Sequence, residues 1–252
     1  MDDKVATIIE NRHVVSNYFL VKLKLAGPMW KVKPGQFVML KVPGGELFLR
    51  RPFSIFDYGR ETISIMYRVV GKGTDALSRA KKNEKTLVLG PLGNGFAAPK
   101  RSKPVVITGG IGVAGVHLLA KSLGRKARIF YGCAHKDELA VMKDIMDFNP
   151  AIATLDGSRG FKGDVVSLFR REIKPSALGD IEIFTCGPHG MVKSLKKCIS
   201  ASKTPCQVLM EEHMACGLGL CFGCVVKTTD VEEPYKRACK EGPVFDLWQV
   251  SL

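Results

Sequence analysis

The sequence predicts a multidomain β and α/β protein in three parts: an antiparallel β-barrel, a doubly wound parallel sheet, and a small cysteine-bearing C-terminal module. Three observations carry this. Short β-rich segments separated by turns fill residues 1–100. From residue 101 apolar strands alternate with helical stretches, the first pair joined by a glycine turn. Within residues 211–252 four cysteines stand at close spacing. The expected boundaries are therefore 1–100, 101–210 and 211–252.

In the first part, strands are expected over 5–9 and 18–25, both rich in β-formers and the second partly alternating. Pro34-Gly35 turns the chain into a strand over 36–42, and Pro43-Gly44-Gly45 breaks it. A strand over 62–70, a helix over 75–80 and a strand over 86–90 follow. Many short strands with turns between them suit a closed antiparallel barrel. In the second part, a continuous apolar strand over 104–108 runs into glycines 109–115 and a helix over 116–123. Strands over 127–132, 152–155, 180–186 and 206–210 then alternate with helices over 138–147, 165–172 and 191–200. That alternation signals a parallel, doubly wound sheet.

The cysteines Cys216, Cys221, Cys224 and Cys239 are spaced Cys-x4-Cys-x2-Cys-x14-Cys. The opening of this pattern is that of plant-type [2Fe–2S] centres. Three thiolates come from one loop, and Gly217, Gly219 and Gly223 let its backbone wrap inorganic sulfur. Zinc is the competing metal, but structural zinc sites favour two separate Cys-x2–4-Cys knuckles. Gly110-x-Gly112-x-x-Gly115 matches the dinucleotide fingerprint and lies between a strand and a helix, where backbone N–H groups can meet a pyrophosphate. The acidic residue expected at the end of the second strand is missing, because that strand ends Tyr131-Gly132-Cys133. Two readings stay open: a structural glycine turn, or a nucleotide bound in another way.

Composition narrows the function classes. The chain has 252 residues, enough for two modest domains and an appendage. No apolar run approaches about twenty residues, so no membrane span is expected. Met1-Asp2-Asp3-Lys4 does not resemble a signal peptide. With no export signal, eight cysteines point to a reducing cytoplasm and to metal ligation rather than disulfides. The net charge of +14 invites an acidic partner. Its basic residues are scattered in short pairs such as Lys81-Lys82 and Arg170-Arg171, with no nucleic-acid motif, so no nucleic acid is expected.

Arg51-Pro52-Phe53-Ser54, with Met66-Tyr67-Arg68 and Gly71-Lys72-Gly73-Thr74, resembles the flavin-binding signatures of the ferredoxin–NADP reductase family. There the arginine meets the flavin nucleotide's pyrophosphate, and the serine hydroxyl lies near the flavin N5. Arginine's rigid fork of donors suits phosphate. Taken without the later motifs, the stretch is equally a proline-marked barrel corner with a surface arginine. The resemblance extends through Pro91-Leu92-Gly93-Asn94-Gly95-Phe96, Gly109-Gly110-Ile111-Gly112 and Cys186-Gly187-Pro188 to the cysteine module, which ends Tyr235-Lys236-Arg237-Ala238-Cys239. In that order these motifs resemble the electron-transfer subunits of NAD-linked, heteromeric dihydroorotate dehydrogenases. The resemblance implies FAD held by Arg51, Pro52, Phe53, Ser54, Met66, Tyr67, Arg68, Gly73 and Thr74. It implies NAD(H) held by Gly109, Gly110, Gly112, Cys186, Gly187 and Pro188, and a [2Fe–2S] cluster on the four cysteines. It also implies an FMN-containing catalytic subunit as partner, two of each chain, in the oxidation of dihydroorotate to orotate for pyrimidine biosynthesis.

The sequence departs from the wider reductase pattern in places. Phe53 stands where a tyrosine is usual, which removes a phenol from the flavin's neighbourhood. Gly157-Ser158-Arg159 follows a strand end where NADPH-specific reductases often carry a basic residue, whereas Asp156 beside it suits a ribose hydroxyl. NADH and NADPH both stay open. Cys186 is either a group near the nicotinamide or a small core residue. Cys133, Cys198 and Cys206 read as packing residues. His117, His135 and His189 lack a ligand pattern, and Glu211-Glu212, just before the cysteine loop, is either a solvated turn or a pair near the flavin. The flavin and iron–sulfur subunits of sulfide dehydrogenases or of NADH-dependent ferredoxin–NADP oxidoreductases share this layout. A zinc-stabilised nucleic-acid-binding protein would leave the flavin-like and glycine motifs unexplained.

Overall fold

The computed structural model describes residues 2–44 and 47–252, so Met1 and the break at Gly45 lie outside the described residues. The first part lays down β1 (Asp2–Val15), β2 (Tyr18–Leu25), β3 (Phe37–Leu40), β4 (Arg51–Ser54), β5 (Asp57–Tyr58) and β6 (Thr62–Arg68). Helix α1 (Lys72–Ser78) and β7 (Lys85–Leu92) follow. The seven strands form one antiparallel sheet in the order β4-β3-β7-β1-β2-β6-β5. The sheet rolls until β4 lies against β6. Ile8, Val21, Leu23, Val38, Leu40, Ile63, Ile65 and Val88 fill its interior, each fully buried. Alternation along the strands puts these side chains on one face.

Strand β1 runs well past the expected 5–9, although Glu10-Asn11-Arg12-His13 carries little β signal. Pairing with β2 sustains it, with Asn11 opposite Val21 and Arg12 opposite Leu20. Asn11 has a second task. Its amide donates to the carbonyls of Leu77 (2.8 Å) and Ala80 (2.9 Å). Those groups end α1, where helix carbonyls lack partners of their own.

The second part alternates as expected: β8 (Lys103–Gly109), α2 (Val113–Leu123), β9 (Arg128–Cys133), β10 (Ala151–Thr154), β11 (Phe161–Lys162), α3 (Val165–Glu172), β12 (Ile181–Cys186), α4 (His189–Cys198) and β13 (Cys206–Leu209). These strands are parallel, in the order β11-β10-β9-β8-β12-β13. The chain builds outward from β8 to β11, then returns to the other side of β8 with β12. The switch point therefore lies beyond the ends of β8 and β12, where open α/β sheets place their ligands. The helix expected over 138–147 is a 3-10 segment, Lys136–Phe148, that buries Val141, Met142 and Ile145.

The last part carries a hairpin, β14 (Val225–Lys227) and β15 (Tyr235–Arg237), and then β16 (Val244–Asp246). Strand β16 adds antiparallel to β13, as the seventh strand of the second sheet. The cysteine segment is thus tied at its far end to the sheet it leaves. No helix among the described residues is long and apolar enough to cross a membrane.

The start of α3 tests the local reading. Asp164 accepts hydrogen bonds from Val166 N and Ser167 N, both at 2.9 Å. These are two of the N–H groups a helix start leaves unpaired. Replacing Asp164 by Ala is expected to cost about 1 kcal/mol, within the usual cost of losing such a cap. Urea unfolding of the two proteins under one buffer measures the difference.

Candidate functional site

A cavity of about 400 Å³ lies where the three parts meet. Pro52, Phe53 and Ser54 of β4 line one wall, beside Met66, Tyr67 and Arg68 of β6 and Thr74 of α1. Ile111 of the glycine turn and Ala114 at the start of α2 line the facing wall. Met210, Glu211, Glu212 and Met214, the approach to the cysteine loop, complete it. Its size and mostly apolar lining, with a few convergent polar groups, fit a flavin-sized ligand.

The residues around it have defined partners. Tyr67 is buried and turns its hydroxyl away from the cavity, donating to Asn11 Oδ1 at 3.1 Å. Its ring lies 5.8 Å from that of Phe53. Arg51 stands beside the cavity, its Nη1 donating to the Leu49 carbonyl at 2.6 Å. Gly73 makes room for it, since a Cβ there would lie 2.6 Å from Arg51 Nε. Thr74 Oγ1 accepts from Val70 N at 2.9 Å and donates to Gly71 O at 3.1 Å, so this hydroxyl shapes the loop. Burial raises the pKa of Glu211, against the opposing pull of the Arg68 guanidinium. The Cys186 thiol donates to Glu211 Oε1 at 3.9 Å. Cys186 is fully buried, which pushes its pKa well up and keeps it a neutral thiol.

Gly109 ends β8 and Gly110–Gly112 form the 3-10 turn after it at the switch point, opposite Cys186-Gly187-Pro188 at the end of β12. Gly112 is required by packing, because a Cβ there would strike the Cys186 backbone. At the neighbouring strand ends Asp156 Oδ1 accepts from Ser158 N (3.0 Å) and Ser158 Oγ (2.7 Å). His135 lies 3.6 Å from the other Asp156 oxygen and 3.1 Å from Asp137 Oδ2.

In the cysteine loop, the Cys216 thiol lies beside Cys221 and the Cys239 thiol beside Cys224, with Cys216 and Cys239 also near one another. Backbone N–H groups point at the sulfurs: Leu218 N to Cys216 Sγ (3.3 Å), Gly219 N to Cys239 Sγ (3.1 Å) and Gly223 N to Cys221 Sγ (3.4 Å). Burial works against the Cys216 thiolate, but such donors outweigh it and hold its pKa at about 6. Burial instead raises Cys239 to about 12, with Cys224 adding to the effect. Gathered thiols amid N–H donors suit a binuclear thiolate-bound cluster, whose charge such donors stabilise. Gly217 and Gly219 have φ of +69° and +79°, which only glycine takes without strain. Arg237 braces the loop, donating to the Gly219 carbonyl at 2.8 Å while its Nε meets Glu241 at 3.0 Å.

One cavity thus gathers the Pro52–Ser54 and Met66–Arg68 stretches and the neighbourhood of the glycine turn, all singled out in the sequence. Arg51, Gly73 and Cys186 stand just outside it. Phe37 and Met210 read only as strand residues, Met214 only as the opening of the cysteine stretch, and Glu211-Glu212 as a solvated turn or a pair near the flavin. For residues 210–214 the further clue was position, directly after the last strand of a switch-point sheet.

Comparison with known proteins agrees with this layout. The iron–sulfur cluster binding domain of dihydroorotate dehydrogenase B matches residues 211–251. The dihydroorotate dehydrogenase B (NAD(+)) electron transfer subunit of Caldanaerobacter subterraneus subsp. tengcongensis is 34% identical, covering 95% of each chain. That of Clostridium acetobutylicum is 38% identical, covering 96% of this chain and 94% of its own. Among solved structures, an NADH-dependent reduced ferredoxin-NADP oxidoreductase superposes with a TM-score of 0.84 at 26% identity, covering 98% of this chain and 89% of that one. Phthalate dioxygenase reductase shares the fold at a TM-score of 0.66 and 16% identity, covering 90% and 86%. The chain belongs to the family of dihydroorotate dehydrogenase B electron transfer subunits.

Proposed function

We propose that this chain passes electrons between NAD(H) and a catalytic partner subunit, by way of FAD in the 400 Å³ cavity and a [2Fe–2S] cluster on Cys216, Cys221, Cys224 and Cys239, as dihydroorotate is oxidised to orotate. The observation that carries this is the shared cavity, lined at once by the barrel, the glycine-turn side and the approach to the cysteines. A bound flavin supplies the exchange between hydride transfer and the single electrons a cluster takes.

The residues divide the work. Arg51, beside Gly73 at the cavity edge, offers its guanidinium to the flavin's pyrophosphate. Phe53, Tyr67 and Met66 give the apolar bed, and Ser54 and Arg68 place polar groups along it. Gly109–Gly112 and Cys186–Pro188 frame the nicotinamide nucleotide at the switch point. Asp156 and Asp137 set carboxylates where a 2′-phosphate would add negative charge, which favours NADH over NADPH. We assign the units as 1–100, 101–210 and 211–252. The partner carries FMN and assembles as two of each chain, in the cytoplasm. Leu220 (77% exposed), Phe222 (58%) and Tyr235 (57%) surround the cluster loop with apolar surface, the kind that marks a protein contact.

No side-chain set in the cavity is arranged as an acid or base for dihydroorotate, so that step belongs to the partner. The isolated chain is expected to reduce artificial acceptors with NADH and to form no orotate. Adding the FMN subunit is expected to restore NAD⁺-dependent orotate formation. Failure of the assembled, fully loaded pair would favour a second reading, the NADH-dependent ferredoxin–NADP oxidoreductase chemistry of the superposed structure.

Two substitutions test the cofactor sites. Arg51→Ala is expected to weaken FAD retention by about 1.5–3 kcal/mol, the range for a lost charge-assisted hydrogen bond. Equilibrium dialysis of the flavin measures it, and unchanged affinity removes Arg51 from the site. Cys221→Ser is expected to bleach or weaken the iron–sulfur absorption while leaving most of the flavin. Stoichiometric zinc in place of iron in anaerobically purified wild-type protein would contradict the cluster assignment.

A further inference from the structure

The space in front of the glycine turn already holds a carboxylate. Glu138, at the start of the Lys136–Phe148 segment, accepts from Ala134 N at 3.1 Å through Oε1 and from the Tyr18 hydroxyl at 2.8 Å through Oε2. Ala134 follows β9, the strand beside β8, where Gly132 pairs with Gly109. Tyr18 opens β2 of the barrel, and its hydroxyl lies 3.6 Å from where a Cβ on Gly110 would stand. Tyr131 completes the corner, its hydroxyl donating to the Gly110 carbonyl at 3.4 Å. One backbone N–H just past β9 and one phenol O–H beside the turn are thus committed to an internal anion.

We propose that Glu138 is a built-in competitor of the dinucleotide. It occupies the Ala134 N–H and Tyr18 O–H donors that the pyrophosphate takes up on binding, so Glu138 weakens dinucleotide affinity and Tyr18 strengthens it. The inference rests on the reading that the glycine turn receives NAD(H). A pyrophosphate seated on the N–H groups of the turn comes close to the half-buried Glu138 carboxylate, and two like charges at such range repel. Burial, and after it the Glu138 carboxylate, push the Tyr18 pKa up to about 12, so the phenol remains a donor at neutral pH. The same hydrogen bond ties the barrel to the second domain, across 120 residues of sequence. Dinucleotide entry therefore loosens one interdomain tie as it gains two donors.

Calorimetric titration of the FAD- and cluster-loaded chain with NAD⁺, ADP-ribose and adenosine tests this, using wild type, Glu138→Gln and Tyr18→Phe. Glutamine keeps the size and one acceptor oxygen, turns the other acceptor into an N–H donor, and removes the charge. Glu138→Gln is expected to bind NAD⁺ and ADP-ribose at least about threefold tighter, with adenosine, which lacks phosphate, unchanged. Its KM for NADH should fall in step. Tyr18→Phe is expected to bind ADP-ribose several-fold more weakly while flavin content and spectrum stay as in wild type. Equal affinity of wild type and Glu138→Gln for ADP-ribose overturns the proposal, as does an adenosine shift as large as the ADP-ribose shift. Absence of NAD⁺ and ADP-ribose binding in both proteins overturns the nucleotide reading of the turn itself, and the proposal with it.

Discussion

Two carriers exchange electrons only when the fold brings their sites together, and the proposed flavin cavity shares one wall with the approach to the cysteine loop. The segment Met210–Met214 leaves the last parallel strand, crosses the cavity and enters the cysteine loop within a few residues. The loop then folds back on the barrel. Gly217 sits against Met39 of β3 so closely that a Cβ would lie 2.6 Å from its side chain. Met39 pairs in turn with Pro52 of β4, which lines the cavity. A short packed path therefore joins the cysteines to the flavin-like cavity through one methionine and one strand pair. Strand β16 fixes the far end of the cysteine segment to β13, so neither end of that segment is free.

The cysteine loop is a problem in charge. Thiolates massed in one place repel one another and resist burial. The structure answers with N–H donors on three of the sulfurs and with positive-φ glycines that turn those donors inward. Arg237 adds a cation that holds the Gly219 carbonyl and is itself paired with Glu241. It also lies 4.7 Å from the centre of the Phe222 ring, so the brace reaches the exposed apolar rim. The two interdomain ties on the barrel's other flank are of a different kind. His117 of α2 bonds the Phe56 carbonyl at 2.8 Å and stacks on its ring, and Lys121 meets Asp57 at 2.7 Å. These hold the second domain over the barrel without entering the cavity.

Much of this was legible in the sequence, for physical reasons. Strands such as Tyr18–Leu25 and helices such as Val165–Glu172 announce themselves by long runs of suitable residues, while the Asp164 cap emerges only in the structure. The cysteine spacing and the glycine turn are local patterns, so they survive without a structure. What stayed hidden is what depends on pairing or on distance. Strands of two to four residues, such as Asp57–Tyr58 and Val244–Asp246, are too short to show a period. The residues 10–13 look polar and become strand only because β2 lies beside them. Glu211 reads as a turn residue until the fold sets it between Arg68 and Cys186.

The central claim is that nicotinamide, flavin and cluster are wired together within this one chain. Anaerobic titration of the isolated, fully loaded protein with NADH, followed by visible absorption and by electron paramagnetic resonance, tests it most directly. The flavin band and the iron–sulfur bands are expected to bleach together, with a reduced-cluster signal of about one spin per chain, one flavin and one [2Fe–2S] centre sharing the electrons. Full reduction of the flavin by excess NADH with the cluster left oxidised and silent would contradict it.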